Sequence, residues 1–256
     1  MLDRTNNDNG IKILGKTVAE YLDGLSACVA KPETYSEAIK AAQKQINGEL
    51  MESGVLMLDP DAVYVDFGVT IGKGTVIYPG AFIEGKTEIG ENCEIGPNTR
   101  LSGMKVMDGV KISYSVAADS EIGKNCTVGP FAYIRPGSVI GEKVKVGDFV
   151  EVKNSTVGNG TKIAHLTYIG DADVGSGVNF GCGTVVVNYD GKSKFRTKIG
   201  SDVFVGCNSN LVSPVDIGDG AYIAAGSTIT ENVPENILSI ARARQVNKED
   251  WKDKRQ

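Results

Sequence analysis

This chain of 256 residues has one histidine, one tryptophan and an aromatic content of only 7%. A lone histidine argues against a catalytic zinc held by several imidazoles, so no metal is expected. So few aromatics, set beside 32 glycines, leave little bulk for a conventional globular core. Long apolar runs are missing too. The N-terminus MLDRTNNDNG has no apolar signal core, and no stretch approaches the length of a membrane span. Basic excess is absent: a net charge of −5 argues against a nucleic-acid binder. The five cysteines (Cys28, Cys93, Cys126, Cys182, Cys207) lie far apart without CxxC spacing. They read as reduced thiols serving as small residues in a cytoplasmic protein.

What the chain does have is a rhythm. Aliphatic residues recur every six positions at Ile71, Ile77, Ile83, Ile89, Ile95 and Leu101, then at Ile122, Val128, Ile134, Ile140, Val146 and Val152, and again at Ile199, Val205, Leu211, Ile217, Ile223 and Ile229. Four places after the aliphatic the residue is usually small (Thr75, Ala81, Thr87, Cys93, Thr99, Cys126, Ala132, Ser138), and glycine often follows it directly. This is the hexapeptide pattern of a parallel β-helix. Each hexad is a short strand and a turn, three hexads make one triangular coil, and each coil buries its aliphatics only against its neighbours. Every buried Ile or Val contributes roughly 1.5 to 3 kcal/mol. About nine coils are expected between roughly Val63 and Thr230, giving a prism on the order of 45 Å long. The phase slips between Leu101 and Ile122, by one residue before Val157 and before Val174, and over Asn188 to Thr197, where YDGKSKF leaves the helix as a loop.

Outside the repeats, Thr17 to about Val29 reads as a helix with a capping-box start, and roughly Ser36 to Ser53 as a second helix stopped by Gly54. The division is residues 1–54 as a helical segment forming a linker arm, 55–232 as an all-β solenoid, and 233–256 as a short charged tail.

Coil arithmetic nominates the chemistry. Arg135 and Lys153 each follow an inward aliphatic and are 18 residues apart, so they lie about 4.8 Å apart on one face. Two unpaired cations that close repel unless an anion sits between them, which suggests a phosphate-binding pair; two solvated surface cations remain the other reading. His165, two places after Ile163, points outward near a corner, and Tyr168 precedes the next inward residue, Ile169. A neutral imidazole there can accept a proton at pH 7; a structural or merely exposed histidine remains the other reading. Asn179 and Asn188 follow one coil on, and the loop carries Lys192, Lys194 and Arg196.

The segments GPFAYIRPG, GDFVEVKNSTVGNGTKIAHLTYIGDADVGSGVNFGCGTVVVNYDGKSKF and GSDVFVGCNSNLVSPVDIGDGAYIAAGSTIT resemble the C-terminal half of the bifunctional bacterial enzyme that makes UDP-N-acetylglucosamine, the glucosamine-1-phosphate N-acetyltransferase. The resemblance implies a left-handed coil and a cytoplasmic homotrimer with active sites between subunits. It also implies direct transfer from acetyl-CoA to the amine, in UDP-N-acetylglucosamine biosynthesis for the bacterial cell envelope. His165 would be the base. Arg135, Lys153 and Lys194 would bind the sugar phosphate, and Tyr168 and Asn179 the rest of the amino sugar. Cys182, Asn188, Tyr189, Cys207 and Ala225 would line the acetyl-CoA site, and Arg242 would meet the cofactor's phosphates. The family's nucleotidyltransferase half, with its LxxGxGTR loop, has no counterpart here, so uridylyl transfer is not expected of this chain. Cys207 stands where many relatives have Ser, which adds a thiol open to oxidation, and ARARQ lacks the proline common before Gln245. Two other readings compete: a hexapeptide acyltransferase on another amino sugar, and a non-catalytic trimeric scaffold or regulatory subunit.

Overall fold

A computed structural model of the chain describes residues 12–13, 16–17 and 35–249. Its body is a β-solenoid of about ten turns with three flat faces. Along the chain the strands Leu56–Met57, Tyr64–Val65 and Thr70–Ile71 open the first, second and third faces, and Val76–Ile77 returns to the first. Among the described residues the faces hold 11, 10 and 9 parallel strands, each paired with the strand one coil before and one coil after it. The hexapeptide repeats are those of a left-handed β-helix.

All eighteen aliphatics of the three runs are buried, and so are the eight small residues that share their turns. The small position has a second physical role. A turn N–H that faces inward finds no water, so it must be paired within the protein. The hydroxyl one coil earlier takes it: Cys93 N–H donates to Thr75 Oγ1 at 3.0 Å, Ser138 to Ser120 Oγ at 3.1 Å, and Ala172 to Ser155 Oγ at 2.9 Å.

The first phase slip does not interrupt the stack. Its coils are shortened, pairing Val106 with Ile122 and Leu101 with Ala117, and Met104, Val106, Ile112 and Ala117 fill the core there. Before Val157 and Val174 the coils lose one residue, as the spacing predicts (Ile140 with Val157, Val157 with Val174). The strand ladder starts at Leu56 and continues to Leu238–Ser239, which pairs with Tyr222–Ile223.

Helix α1 spans Tyr35–Glu52. It ends where Gly54 takes φ +101° and the N–H groups of Gly54 and Val55 reach back to the carbonyls of Met51 and Leu50, both at 3.1 Å, a Schellman stop. The helix is no free arm. Ala42 and Ile46 join the solenoid core, and Gln43 Nε2 and Asn47 Nδ2 donate to the carbonyls of Pro60 and Val63, which seals the first coil. Of the helix expected from Thr17 to Val29, Thr17 lies in a strand, Lys16–Thr17, paired antiparallel with Lys12–Ile13, and the rest lies outside the described residues. Among the described residues no helix is long and apolar enough to cross a membrane.

Candidate active site

His165 closes the strand Lys162–His165 on the first face. The chain turns through Leu166 and Thr167 and continues as Tyr168–Gly170 on the second, so His165 and Tyr168 flank one corner of one coil. Register then defines a column along that corner. Asp148 pairs with His165, the pairing of Ile163 with Phe180 carried two places on sets Cys182 beside His165, and the next two coils add Cys207 and Ala225 in the same way. The column therefore runs Asp148, His165, Cys182, Cys207, Ala225, with about 4.8 Å per step.

Within that column a carboxylate orients His165. Asp148 Oδ1 lies 2.6 Å from His165 Nδ1, and the hydrogen bond from His165 keeps the Asp148 carboxyl below the usual carboxylate range. An ionised carboxylate only accepts, so Nδ1 carries the proton and Nε2 is left as the basic nitrogen. Asp148 was not among the residues singled out from the sequence. It stands 17 residues before His165, one shortened coil, and that spacing was the signal for it.

Across the corner, Arg135 and Lys153 are side by side as expected, since Ile134 pairs with Val152. They are not unpaired. Arg135 Nη1 meets Glu151 Oε1 at 2.7 Å and Lys153 Nζ meets Asp171 Oδ2 at 3.1 Å, because each column of cations has a carboxylate within reach one coil away. Burial alone would lower the Lys153 pKa, but the Asp171 carboxylate raises it above the ordinary lysine value. Lys194 completes the cluster. It stands in a hairpin-like excursion in which Tyr189 bridges antiparallel to Lys194, Asp190 Oδ1 accepts from the N–H groups of Lys192 and Ser193, both at 2.7 Å, and Arg196 clasps the loop to Asp173 and the Asn154 carbonyl. The Lys194 pKa is lowered by contact with the Lys153 ammonium and by its charge, with Arg135 adding to the effect. Among the described residues no carboxylate lies within ion-pair distance of Lys194. The three cations thus face two carboxylates and retain a net positive charge.

Tyr168 leans over Gly170, which pairs with Lys153; a Cβ built on Gly170 would fall 2.4 Å from the Tyr168 hydroxyl. The absence of a side chain at 170 is what lets Tyr168 lie beside the cations. Asn188 is buried and its amide is committed to Asp171 Oδ2, so it buttresses Lys153 through that carboxylate. Asn179 occupies the neighbouring column, between Lys162 and Phe204, half-buried. Tyr189 is exposed, its hydroxyl donating to the Gly191 carbonyl at 2.7 Å.

The small side chains of Cys182, Cys207 and Ala225 follow one another at the far end of the column, and the Arg242 side chain stands near it, its Cδ 3.6 Å from where a Cβ on Gly226 would stand. Metal-ligating clusters are absent among the described residues.

The solenoid of hexads is of the hexapeptide-repeat class: residues 196–231 match the family described as bacterial transferase hexapeptide (six repeats), while residues 65–166 match the GMPPB C-terminal domain. More particularly, over most of its length the chain is homologous to bifunctional protein GlmU. It is 57% identical to that of Clostridium kluyveri over 84% of this chain and 47% of the relative, and 52% identical to that of Brevibacillus brevis over 96% of this chain and 53% of the relative. The chain spans about half the length of these relatives. Among solved structures, the UDP-N-acetylglucosamine acyltransferase of Francisella novicida aligns with a TM-score of 0.50 at 17% identity, covering 73% of this chain and 67% of that one; this likeness is one of fold.

Proposed function

We propose that this chain transfers the acetyl group of acetyl-CoA to the amine of glucosamine 1-phosphate, giving N-acetylglucosamine 1-phosphate in UDP-N-acetylglucosamine biosynthesis in the bacterial cytoplasm. The observation that carries this reading is the pairing, around one corner, of a carboxylate-oriented histidine with a three-cation cluster. Acetyl-CoA, when bound, supplies an acetyl group activated as a thioester. Arg135, Lys153 and Lys194 hold the sugar phosphate and so fix the distance from its anchor to the base. Tyr168 and Asn179 orient the sugar. His165 Nε2 takes the proton from the attacking amine, and Asp148 stabilises the imidazolium that forms. The Cys182, Cys207 and Ala225 track, with Tyr189 beside it, seats the donor, and Arg242 meets its phosphates.

The reading includes a homotrimer, and one exposed surface supports packing of this chain against copies of itself. Tyr114, Phe131, Phe149 and Leu166 are 44 to 59% exposed and have φ between +45° and +60°. Phe131 stacks on Phe149 at 5.5 Å and lies 5.9 Å from Tyr114. Left-handed backbone costs a non-glycine residue roughly 1 to 2 kcal/mol, and elsewhere the same column uses Gly183, Asn208 and Gly226. A lone subunit gains little from strained, exposed apolar side chains, whereas packing against copies of itself would bury them. Phe149 and Leu166 directly follow Asp148 and His165, so a partner seated on the ladder would wall the site.

The test is thiol release from acetyl-CoA with glucosamine 1-phosphate set beside plain glucosamine. Release with the phosphorylated sugar alone is expected, with Lys153→Ala and Lys194→Ala each raising KM for it at least tenfold. Equal rates on both sugars would discard the phosphate site and favour an acyltransferase for another amino sugar. No release from a folded protein would refute catalysis and leave the scaffold.

A further inference from the structure

Cys207 lies one coil above Cys182. Asn179 pairs with Phe204 and Phe180 with Val205, and Asn208 N–H donates to the Cys182 carbonyl at 2.8 Å, so the two cysteines occupy the same place in successive coils, about 4.8 Å apart between Cα atoms. Disulfides span Cα separations of roughly 4.4 to 6.8 Å. Both thiols are free; Cys207 is exposed and Cys182 half-buried beside it. The other two described cysteines differ. Cys93 and Cys126 are fully buried, their thiols donate to the carbonyls of Met107 at 3.2 Å and Gly141 at 2.9 Å, and burial pushes both thiols up from their ordinary pKa. Among the described residues, then, one adjacent pair of thiols is open to small reagents, and it stands at the head of the column that contains His165.

We infer that Cys182 and Cys207 form a reversible disulfide between coils, with a low-molecular-weight disulfide such as glutathione disulfide as oxidant. The exposed Cys207 thiolate attacks one sulfur of the small disulfide, forming a mixed disulfide and releasing one thiolate. Cys182 then attacks Cys207 Sγ, forming the bond between coils and releasing the second thiolate. The protons of the two cysteines end on the two released thiols, so two protein thiols are oxidised and one small disulfide is reduced. The bond ties together the two corners over which the acyl donor would lie, so oxidation switches donor binding off. That consequence rests on the acetyltransferase reading; the formation of the bond does not.

The full chain is incubated with excess glutathione disulfide, alkylated and peptide-mapped, with and without later dithiothreitol. The expected result is a Cys182–Cys207 linked peptide that reductant removes, and in a Cys182→Ser chain a stable glutathione adduct on Cys207. A glutathione adduct on Cys207 as the end state of the parent chain, or a bond joining two chains, overturns the inference. Acetyl transfer is followed in parallel. Oxidation should lower it more than tenfold, reversibly, while the Cys207→Ser chain, whatever its basal rate, changes less than twofold on the same treatment. A linked peptide with unchanged transfer overturns the switch. A linked peptide in a chain whose reduced form transfers no acetyl group refutes the function proposed above and leaves the disulfide standing.

Discussion

Replacing Asp171 with Asn should destabilise the coil stack by about 3 kcal/mol. The carboxylate accepts from Lys153 Nζ at 3.1 and 3.4 Å, from Asn154 Nδ2 at 2.6 Å and from Asn188 Nδ2, and the Lys153 and Asp171 side chains are only 16 and 10% exposed. Removing one partner of a buried ion pair costs about 3 to 5 kcal/mol because the other charge is left uncompensated. The amide of the Asp171→Asn variant keeps one acceptor oxygen, which sets the expectation at the low end. For a chain of this size that is a fall of roughly 6 to 12 °C in the unfolding midpoint, read by far-ultraviolet circular dichroism. A double-mutant cycle isolates the pair: Lys153→Met on top of Asp171→Asn should add little, because the orphaned ammonium is gone, giving a coupling of about 2 kcal/mol. The pH dependence follows from the direction of the shift. Burial alone would raise the Asp171 pKa, but the hydrogen bonds from Asn154, Lys153 and Asn188 outweigh it and hold it below the usual carboxylate range. A depressed folded-state pKa stabilises fully above the unfolded value, about 3.9, and that contribution is lost as pH falls through the folded value. The gap between parent and variant should therefore be constant from pH 6 to 8 and narrow below about pH 4. A variant within 0.5 kcal/mol of the parent at pH 7, or strict additivity in the cycle, would refute the account of a buried, mutually dependent pair.

Four other substitutions probe the site and its walls. His165→Ala should lower turnover by about 10² to 10⁴, and Asp148→Asn by about 10 to 100 with KM for the sugar phosphate nearly unchanged, since Asp148 touches the base and not the cations; equal losses in kcat and substrate affinity would contradict its role as a positioning residue. Phe149→Asp should convert the proposed trimer to monomers in sedimentation velocity while leaving the circular dichroism spectrum intact, and a retained trimer would move the interface off the aromatic ladder. Gly170→Ala places a methyl where the Tyr168 hydroxyl now lies, so KM for the sugar phosphate should rise several-fold; an unchanged KM would show that Tyr168 does not orient the sugar.

The core was legible because burial in this fold depends on one coordinate, the place within the hexad. Ile71 and Ile229 are separated by most of the solenoid and obey the same rule. The docking of α1 was less so, since its buried Ala42 and Ile46 are too few to announce a surface; the amides of Gln43 and Asn47 on the Pro60 and Val63 carbonyls provide the specificity. The site needs a second coordinate, the coil number, and each irregular coil shifts it for everything that follows. Arg135 and Lys153, a regular 18 apart, were visible as neighbours. Their carboxylates were less legible, although Asp171 follows Lys153 by the same 18, because in a solenoid charges pair across coils and not along the chain. Asp148 and His165 are a coil of 17 apart. Cys182 and Cys207 are 25 apart, because the excursion that carries Lys194 is inserted between them, whereas Cys207 and Ala225, beyond it, return to 18. The same insertion that delivers the third cation to the cluster thus conceals the adjacency of the two thiols, and only the strand register restores it.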